Sequence, residues 1–342
     1  MPSSEFDETD ARLLNLIQRE FPLEPRPFDA IAARLDIAPA EVIEHILRLK
    51  SDRVIRQISA IFDSRALGYS GALVAFKVAP EKMDRVVELV CSDAEVSHCY
   101  SRDADYNLWF TITLGPEQDL QREIDGLALT EGVVSHLVLP TLRVFKIGVF
   151  LDMGRGFGAK SKVRGEASGG SGGFGAKGER RSIASIASLD DEDCAAVRAL
   201  QTDLPIVDAP FAELALGAGM TEDELLSRAA NFVKTGVMRR FAAVLWHQRA
   251  GYRANAMVCW RAKADEIEAA GATLAKHPAV SHCYERPTSA DWPYPVYTMI
   301  HCRDDRELQR TIAELASRSG LSDFRVLRTV KEYKKSRVVY FE

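Results

Sequence analysis

The sequence lacks any run of about 18 apolar residues, the length that a membrane-spanning helix requires. Its opening, MPSSEFDETD, also lacks the basic segment and the apolar segment that mark a secretory signal. We therefore expect a cytoplasmic protein that has no membrane partner.

Paired cysteines and an excess of basic charge are missing as well. None of the 6 cysteines forms a C-x-x-C pair, so their spacing indicates neither a zinc ribbon nor a cluster site. The 44 basic and 49 acidic residues leave a formal net charge of -5, whereas nucleic-acid binders are usually basic. A glycine-rich phosphate motif of the usual kind is also absent. We expect buried reduced thiols, no metal site and no nucleotide cofactor.

A stretch dense in glycine, serine and basic residues separates two halves that repeat each other. This stretch, residues 154 to 182, has almost no apolar periodicity and is predicted to be a flexible linker. On either side of it, RVIRQISAIFDSRALGY corresponds to GVMRRFAAVLWHQRAGY. The chain therefore contains two copies of one module of roughly 150 residues, called copy one and copy two below.

Each copy begins with a helical pattern and continues with alternating strands and helices. In copy one, Leu13, Leu14 and Ile17 follow helical spacing after a capping Asp7 or Asp10, and two further helices precede a short β-rich stretch. This order predicts a winged helix-turn-helix, with the wing at 54–61 in copy one and 237–245 in copy two. The remainder reads β-α-β-β-α-β, which predicts a ferredoxin-like domain.

The predicted fold class is α+β, with two tandem copies of winged helix-turn-helix plus ferredoxin-like domain. The uncovered sheet face of each copy is expected to pack on the same face of the other, giving an intrachain pseudo-dimer. Whether the fused chain forms a homodimer is left open. The predicted domains are winged helix-turn-helix at 1–66 and 187–249, ferredoxin-like at 67–150 and 250–342, and the linker at 151–186.

The quintet VSHCY occurs in both copies, at 96–100 and at 280–284, and an arginine follows two residues later. On a strand, alternation places the histidine, tyrosine and arginine on one face. An apolar core does not readily accept a guanidinium, so this face is predicted to line a polar cavity that binds carboxylates. A structural histidine and a packed aromatic ring are the alternatives. The candidates are His98, Tyr100 and Arg102 in copy one, and His282, Tyr284 and Arg286 in copy two.

Further cations and aromatic residues repeat near these strands. The arginines can contact a polyanionic substrate or form solvated surface, and the aromatic rings can wall a flat ligand or close a core. Copy two has a three-residue insertion and two prolines around Trp292, so its hairpin is expected to differ from that of copy one. The candidate cations are Arg56, Arg239 and Arg240, and the candidate aromatic residues are Tyr106 and Trp109.

A winged helix followed by a ferredoxin-like domain, joined through LGY at 67–69 or AGY at 250–252, resembles the Lrp/AsnC family of transcriptional regulators. The recognition helix of such a motif presents its first turns to DNA. Here those turns carry Glu41 and Glu44 in copy one and Glu222, Asp223 and Glu224 in copy two. Acidic side chains also stabilise helix N-termini, but in both copies they would repel phosphate, which argues against DNA binding.

The runs VSHCYSRDADYNLWFT, LPTLRVFKI, GVMRRFAAVLWHQRAGYRANAMVCW and VSHCYER resemble the siroheme decarboxylases, which are related to Lrp/AsnC proteins. The resemblance implies a fused two-subunit enzyme that converts siroheme to 12,18-didecarboxysiroheme with release of two CO₂, in haem d1 or alternative haem biosynthesis. It also implies that His247 lies close to the macrocycle, as an iron ligand or a proton donor.

The chemistry of this reaction fits a protein without a cofactor of its own. The macrocycle can accept the electrons that each departing carboxyl group leaves behind, so no cofactor is expected beyond the iron-tetrapyrrole substrate. The histidines and tyrosines of the VSHCY rows would handle the proton, and the arginines would hold the carboxylates. A ligand-responsive regulator and a non-catalytic tetrapyrrole sensor are the alternatives.

Overall fold

The computed structural model describes residues 6–156 and 189–342. Most of the predicted linker, residues 151–186, lies outside these ranges. Leu151 and Met153, which the predicted boundary assigns to the linker, are buried, and the backbone amide of Leu151 donates to Gln18 on the first helix at 3.0 Å. The packed part of copy one therefore extends to at least these residues.

Copy one begins with three helices. Asp7 caps the first of them and forms a reciprocal capping box with Asp10, which satisfies amides that have no partner within the helix. The elements of copy one are α1 (Glu8–Arg19), α2 (Pro27–Leu35), α3 (Pro39–Ser51), β1 (Ile55–Phe62), β2 (Ser70–Val78), α4 (Met83–Ser92), β3 (Val96–Arg102), β4 (Leu108–Leu114), α5 (Leu120–Ala128), β5 (Val133–Pro140) and β6 (Arg143–Ile147).

Copy two follows the same order, with Asp190 capping its first helix and Thr221 capping its third. The β-α-β-β-α-β order predicts a single last strand in copy one, but this strand divides after Pro140, which has no amide hydrogen to continue the ladder. The elements of copy two are α6 (Asp191–Leu200), α7 (Pro210–Gly217), α8 (Glu222–Thr235), β7 (Met238–Leu245), β8 (Ala254–Trp260), α9 (Ile267–Ala275), β9 (Val280–Glu285), β10 (Val296–Cys302), α10 (Asp305–Ser319) and β11 (Phe324–Lys335).

The β-rich stretches predicted as wings pair with each other. Strands β1 and β7 form a two-stranded antiparallel sheet, with Ile58 opposite Ala243. The helices of both copies pack around this ribbon in one apolar core. The sequence predicted a β-rich stretch after each set of helices without naming its partner, and each of these strands pairs with the strand of the other copy.

The remaining strands of the described residues form one nine-stranded sheet in the order β5-β2-β4-β3-β11-β8-β10-β9-β6. The two copies exchange their last strands in this sheet. Strand β11 pairs with β8 of its own copy up to Arg328 and then, from Thr329, with β3 of copy one. Strand β6 of copy one likewise pairs with β9 of copy two. The pseudo-dimer is therefore held together by backbone hydrogen bonds as well as by packing.

The part of this sheet that comes from copy one packs its inner face on the inner face of the part from copy two, as predicted. Their shared core is rich in aromatic rings because the insertion in copy two turns Trp292 inward, where its ring centroid lies 5.6 Å from that of Trp109. The buried members of this core are Ala75, Tyr106, Trp109, Leu137 and Leu139 from copy one and Met257, Cys259, Trp292, Tyr294, Tyr297 and Leu327 from copy two.

Candidate active site between the two copies

The histidine, tyrosine and arginine of copy one form one row on β3, as alternation predicts. The rings of His98 and Tyr100 lie 6.2 Å apart at an interplanar angle of 29°, and the Arg102 guanidinium lies 5.5 Å from the Tyr100 ring centroid. His98 and Tyr100 are partly buried, and Arg102 is buried. The residues of the row share one face and lie in contact.

Copy two repeats this row on β9. The rings of His282 and Tyr284 are 5.8 Å apart, and the Arg286 guanidinium lies 5.0 Å from the Tyr284 ring centroid. The pKa of His282 is lowered to about 4 by burial and by nearby positive charge, to which both Arg240 and His98 contribute. The two rows therefore lie within electrostatic range of each other across the pseudo-dimer.

Each row faces a strand from the opposite copy. On β11, Lys335 pairs with His98 and Glu332 with Tyr100. At the corresponding places beside copy two, Ile147 pairs with His282 and Val144 with Tyr284. The strand exchange therefore places two charged residues beside the first row and two apolar residues beside the second.

The histidine of each row is hydrogen-bonded by the serine of its own quintet. The Nδ1 atom of His98 lies 3.0 Å from the Ser97 hydroxyl, and that of His282 lies 2.9 Å from the Ser281 hydroxyl. Burial, assisted by the charges of Lys335 and Arg56, lowers the pKa of His98 to about 4. With these surroundings, both row histidines are uncharged at neutral pH.

The tyrosines of the rows remain protonated phenols. Burial, followed by the negative charge of Glu332, raises the pKa of Tyr100. Burial also raises the pKa of Tyr284, to about 12, against the opposing charges of Arg286 and Arg239. Each phenol therefore keeps its hydrogen and can donate it in a hydrogen bond to an anionic ligand.

The row arginines connect the two copies. Arg102 is 8% exposed and donates from Nη1 to the Leu327 carbonyl of copy two at 3.0 Å, while Arg286 is 9% exposed and donates to the Leu139 carbonyl of copy one at 2.5 Å. The Nε atom of each has no hydrogen-bond partner among the described residues. Their observed contacts are structural, and their binding of substrate carboxylates stays a prediction.

A cavity of about 180 Å³ lies beside the first row. The Arg56 guanidinium lies 5.0 Å from the Trp246 ring centroid, and the Lys335 ammonium lies 5.7 Å from the same centroid. Lys335 belongs to β11, the strand that pairs with the first row on β3. The cavity is smaller than those that usually enclose organic ligands, so a macrocycle requires this cleft to widen. The cavity is lined by Arg53, Trp246, His247, Gln248, Arg249, Glu332 and Lys335. With His98, Tyr100 and Arg56, these residues make up what we call the first cleft.

His247 joins the first cleft from the end of β7. Its Nε2 atom lies 3.3 Å from the side-chain amide nitrogen of Asn255, and its ring centroid lies 5.5 Å from that of His301. Burial, with the charge of Lys335, lowers the pKa of His247 to about 4. The structure thus brings His247 beside the same lysine that faces His98.

The region of copy two around His282 and Tyr284, which we call the second cleft, includes Arg239 and Arg240, whose charges help to lower the pKa of His282. Arg239 is already paired there, because its guanidinium lies 2.7 Å from the Asp63 carboxylate. Burial lowers the pKa of Arg240, whose Nη2 donates to the Val149 carbonyl at 3.4 Å. The second cleft is therefore strongly basic but partly neutralised by its own acid.

Tyr106 and Trp109 lie away from the cavity. They are 6% and 1% exposed, and both rings contact Trp292 in the core between the sheets. The Trp109 indole donates to the Tyr106 carbonyl at 2.6 Å. Their observed role is packing, the alternative left open from the sequence, and a contact with a bound macrocycle stays a prediction.

Asp7, Asp10 and His45 form a group with the spacing of metal ligands among the described residues. However, the buried Asp10 carboxylate already accepts hydrogen bonds from His45 at 2.7 Å and from Arg48 at 2.5 Å. These contacts tie α1 to α3 and satisfy the carboxylate without an ion. We interpret the group as a structural network of the helical domain.

Sequence reasoning missed several residues of the first cleft, notably Trp246, Glu332 and Lys335. The partner strand could not be identified from periodicity, because alternation shows which face a side chain takes but not which strand lies opposite. Ser97 had a sequence signal, since it belongs to the duplicated quintet. Asn255 had no such sequence signal, because copy one has Gly71 at the matching position of the strand ladder.

Comparisons with known proteins agree with this architecture. A family model described as the siroheme decarboxylase NirDL-like HTH domain matches residues 10–56 and 193–239. A second model, the AsnC-like ligand binding domain, matches residues 66–146 and 249–334. Together they repeat the order of helical and sheet domains in both copies.

Siroheme decarboxylases are among the relatives that match this chain, over both copies or over one. The Hydrogenobacter thermophilus siroheme decarboxylase is 36% identical over 339 residues, covering 99% of this chain and 95% of that protein. The beta subunit of the Desulfovibrio desulfuricans enzyme is 40% identical over 151 residues, covering 44% of this chain and 95% of the subunit. A crystal structure of NirDL with an iron-uroporphyrin III analogue superposes with a TM-score of 0.71 at 31% identity, covering 98% of this chain and 95% of that chain. The chain therefore belongs to the siroheme decarboxylase family, as one polypeptide that carries both copies.

Proposed function

We propose that this protein removes two acetate carboxyl groups from siroheme as CO₂, giving 12,18-didecarboxysiroheme for the synthesis of haem d1 or haem. The observation that carries the proposal is the first cleft, where His247 and Lys335 line one cavity and Lys335 is also the strand partner of His98. The charges of Lys335 and Arg56 both act on His98. The solved relative with a bound iron-uroporphyrin analogue supports a tetrapyrrole in this family.

In the proposed reaction the bond between the acetate methylene and its carboxyl carbon breaks. CO₂ leaves, the electron pair remains on the methylene carbon, and the conjugated ring delocalises it until a proton completes the methyl group. The protein therefore has to orient the substrate, remove water and supply a proton. We propose no cofactor beyond the iron-tetrapyrrole substrate, since the ring itself accepts the electrons.

We assign the proton to His98, and to His282 if the second cleft also reacts. Burial, followed by the charges of Lys335 and Arg56, disfavours the imidazolium of His98. A bound polycarboxylate would neutralise these two cations and so raise the pKa of His98, against the larger effect of burial. The imidazolium formed beside the substrate would then supply the proton. Tyr100 and Tyr284 would donate hydrogen bonds to the carboxylates.

The decisive experiment is anaerobic incubation with siroheme followed by mass spectrometry of the tetrapyrrole. We expect the loss of two carbon dioxide molecules, and unchanged siroheme would exclude the enzyme. His98→Ala and His282→Ala form a matched pair, because the same substitution is made in each copy. The variant of the reactive cleft should lose about 100-fold or more in kcat with a small change in KM, whereas a binding protein without turnover would show no rate to lose.

A further inference from the structure

Copy two differs from copy one at a pair of facing residues on its central strands. In copy one, β2 and β4 place Gly71 opposite Thr113. In copy two, β8 and β10 place Asn255 opposite His301 at the same register. The neighbouring pair is an alanine opposite an isoleucine in both copies, so the equivalence is fixed by the ladder.

Both residues of the copy-two pair contact His247. The Asn255 amide nitrogen lies 3.3 Å from Nε2 of His247, and the His301 ring is inclined by 59° with its centroid 5.5 Å away. His301 is 9% exposed, and its Nδ1 atom has no hydrogen-bond partner among the described residues. The His247 ring is therefore held on two sides by residues that copy one does not have.

The Asn255 side chain turns its amide nitrogen toward Nε2 of His247, and this orientation favours one tautomer of the ring. An amide nitrogen only donates, so Nε2 accepts in this arrangement. A neutral imidazole has one donor and one acceptor, which leaves the hydrogen on Nδ1. Within the described part of the chain, Nδ1 has no other partner, and His247 lines the cavity of the first cleft.

We propose that Asn255 is a positioning residue that, with His301 packed beside it, holds His247 as the Nδ1–H tautomer so that it donates a hydrogen bond to a substrate carboxylate in the first cleft. This inference rests on the proposed function for its substrate. It separates the two histidines by role, since His98 supplies the proton and His247 orients the carboxylate. The second cleft has no such device, because Ser64 stands in place of His247 and shares a hydrogen bond of 2.6 Å with the Tyr340 hydroxyl.

Asn255→Asp reverses the tautomer with almost no change in shape. A carboxylate only accepts, so Nε2 must donate to it, and the neutral ring then presents the bare lone pair of Nδ1 to the substrate. The new negative charge also raises the pKa of His247 from about 4. Below the raised pKa, the imidazolium has hydrogens on both nitrogens and donates again.

The test measures the affinity of the full chain for iron-uroporphyrin III between pH 6 and 9 by absorption titration. For Asn255→Asp we expect binding close to wild type at the acid end and about tenfold or more weaker at the alkaline end. For Asn255→Ala we expect a several-fold loss at every pH. Thr113→Val, at the position of copy one that matches His301, is the control and should bind like wild type.

The proposal is overturned if both Asn255 variants bind with the wild-type affinity and pH dependence. It is also overturned if either variant changes the visible spectrum of the bound iron as the loss of an axial ligand would, since His247 would then ligate iron. Neither readout needs turnover. A protein that binds as expected but releases no CO₂ would therefore refute the proposed function and leave this inference standing.

Discussion

Replacing Lys335 by glutamine tests whether the exchanged strand completes the first cleft. Lys335 reaches the cleft only because β11 leaves its own copy and pairs with β3, which sets it opposite His98. Its side chain is 19% exposed, and its ammonium nitrogen lies 3.7 Å from the carboxylate of Glu332, whose side chain is 45% exposed. A substrate carboxylate would compete with Glu332 for this ammonium.

The expected magnitude follows from the charge that is lost. A hydrogen bond between a charged donor and a carboxylate contributes about 1.5–3 kcal/mol, which corresponds to roughly 10- to 100-fold in affinity. Removing the ammonium should also raise the pKa of His98 and of His247, because its charge helps to lower both. Burial is the larger cause for each histidine, so both pKa values should stay below their ordinary value of about 6.5.

Affinity is measured by absorption titration with the iron-uroporphyrin analogue, and the histidine pKa values by NMR of the unliganded protein. Lys335→Arg should restore much of the affinity, because it keeps the charge. Lys263→Gln makes the same change of net charge at a side chain that is 81% exposed and should leave both quantities unchanged. If Lys335→Gln binds within twofold of wild type and shifts neither histidine, the exchanged strand does not serve the cleft.

Three further predictions concern packing, pH and DNA. A Cβ atom at Gly271 in α9 would lie 2.4 Å from the Phe145 ring of copy one, whereas one at Gly126 in α5 would meet nothing within 4 Å. Gly271→Ala should therefore lower the free energy of unfolding in urea by 1 kcal/mol or more, and Gly126→Ala should raise it by up to about 1 kcal/mol; equal effects would contradict the packing. His98, His247 and His282 have folded pKa values of about 4, so the unfolded chain binds more protons between about pH 6.5 and 4, and stability falls as the pH is lowered through that range. The loss at pH 5 should reach at most about 2 kcal/mol for each histidine, and urea midpoints that do not change between pH 7 and 5 would disprove it. The first turn of α8 carries Glu222, Asp223 and Glu224, so a mobility-shift assay at physiological salt should show no DNA complex.

The secondary structure was largely predictable because its causes are local. Alternation placed the histidine, tyrosine and arginine of β3 and of β9 on one strand face, and helical spacing with a capping residue located α1. Proline effects were recognised for the hairpin at Trp292 but not at Pro140, where one predicted strand became two. Elements whose pattern is read within a few residues were therefore placed well.

Pairing between distant strands was not predictable in the same way. A wing strand such as β1 satisfies its pattern equally well in a local hairpin or against β7, and only the packing of both helical domains selects β7. The charged partners of the first row escaped prediction for the same reason. The role of Tyr106 and Trp109 was not predictable either, because an aromatic ring at a strand position can pack in a core or line a ligand site.

By itself, the sequence determined that two copies of one module are joined and that each places a histidine, a tyrosine and an arginine on one strand face. It also carried the resemblance to the siroheme decarboxylases. Only the tertiary structure decided that β11 crosses to copy one and brings Glu332 and Lys335 to the first row, while apolar residues of β6 meet the second. The physical reason is that side-chain alternation is a property of one strand, whereas the choice of partner strand depends on how the whole pseudo-dimer packs.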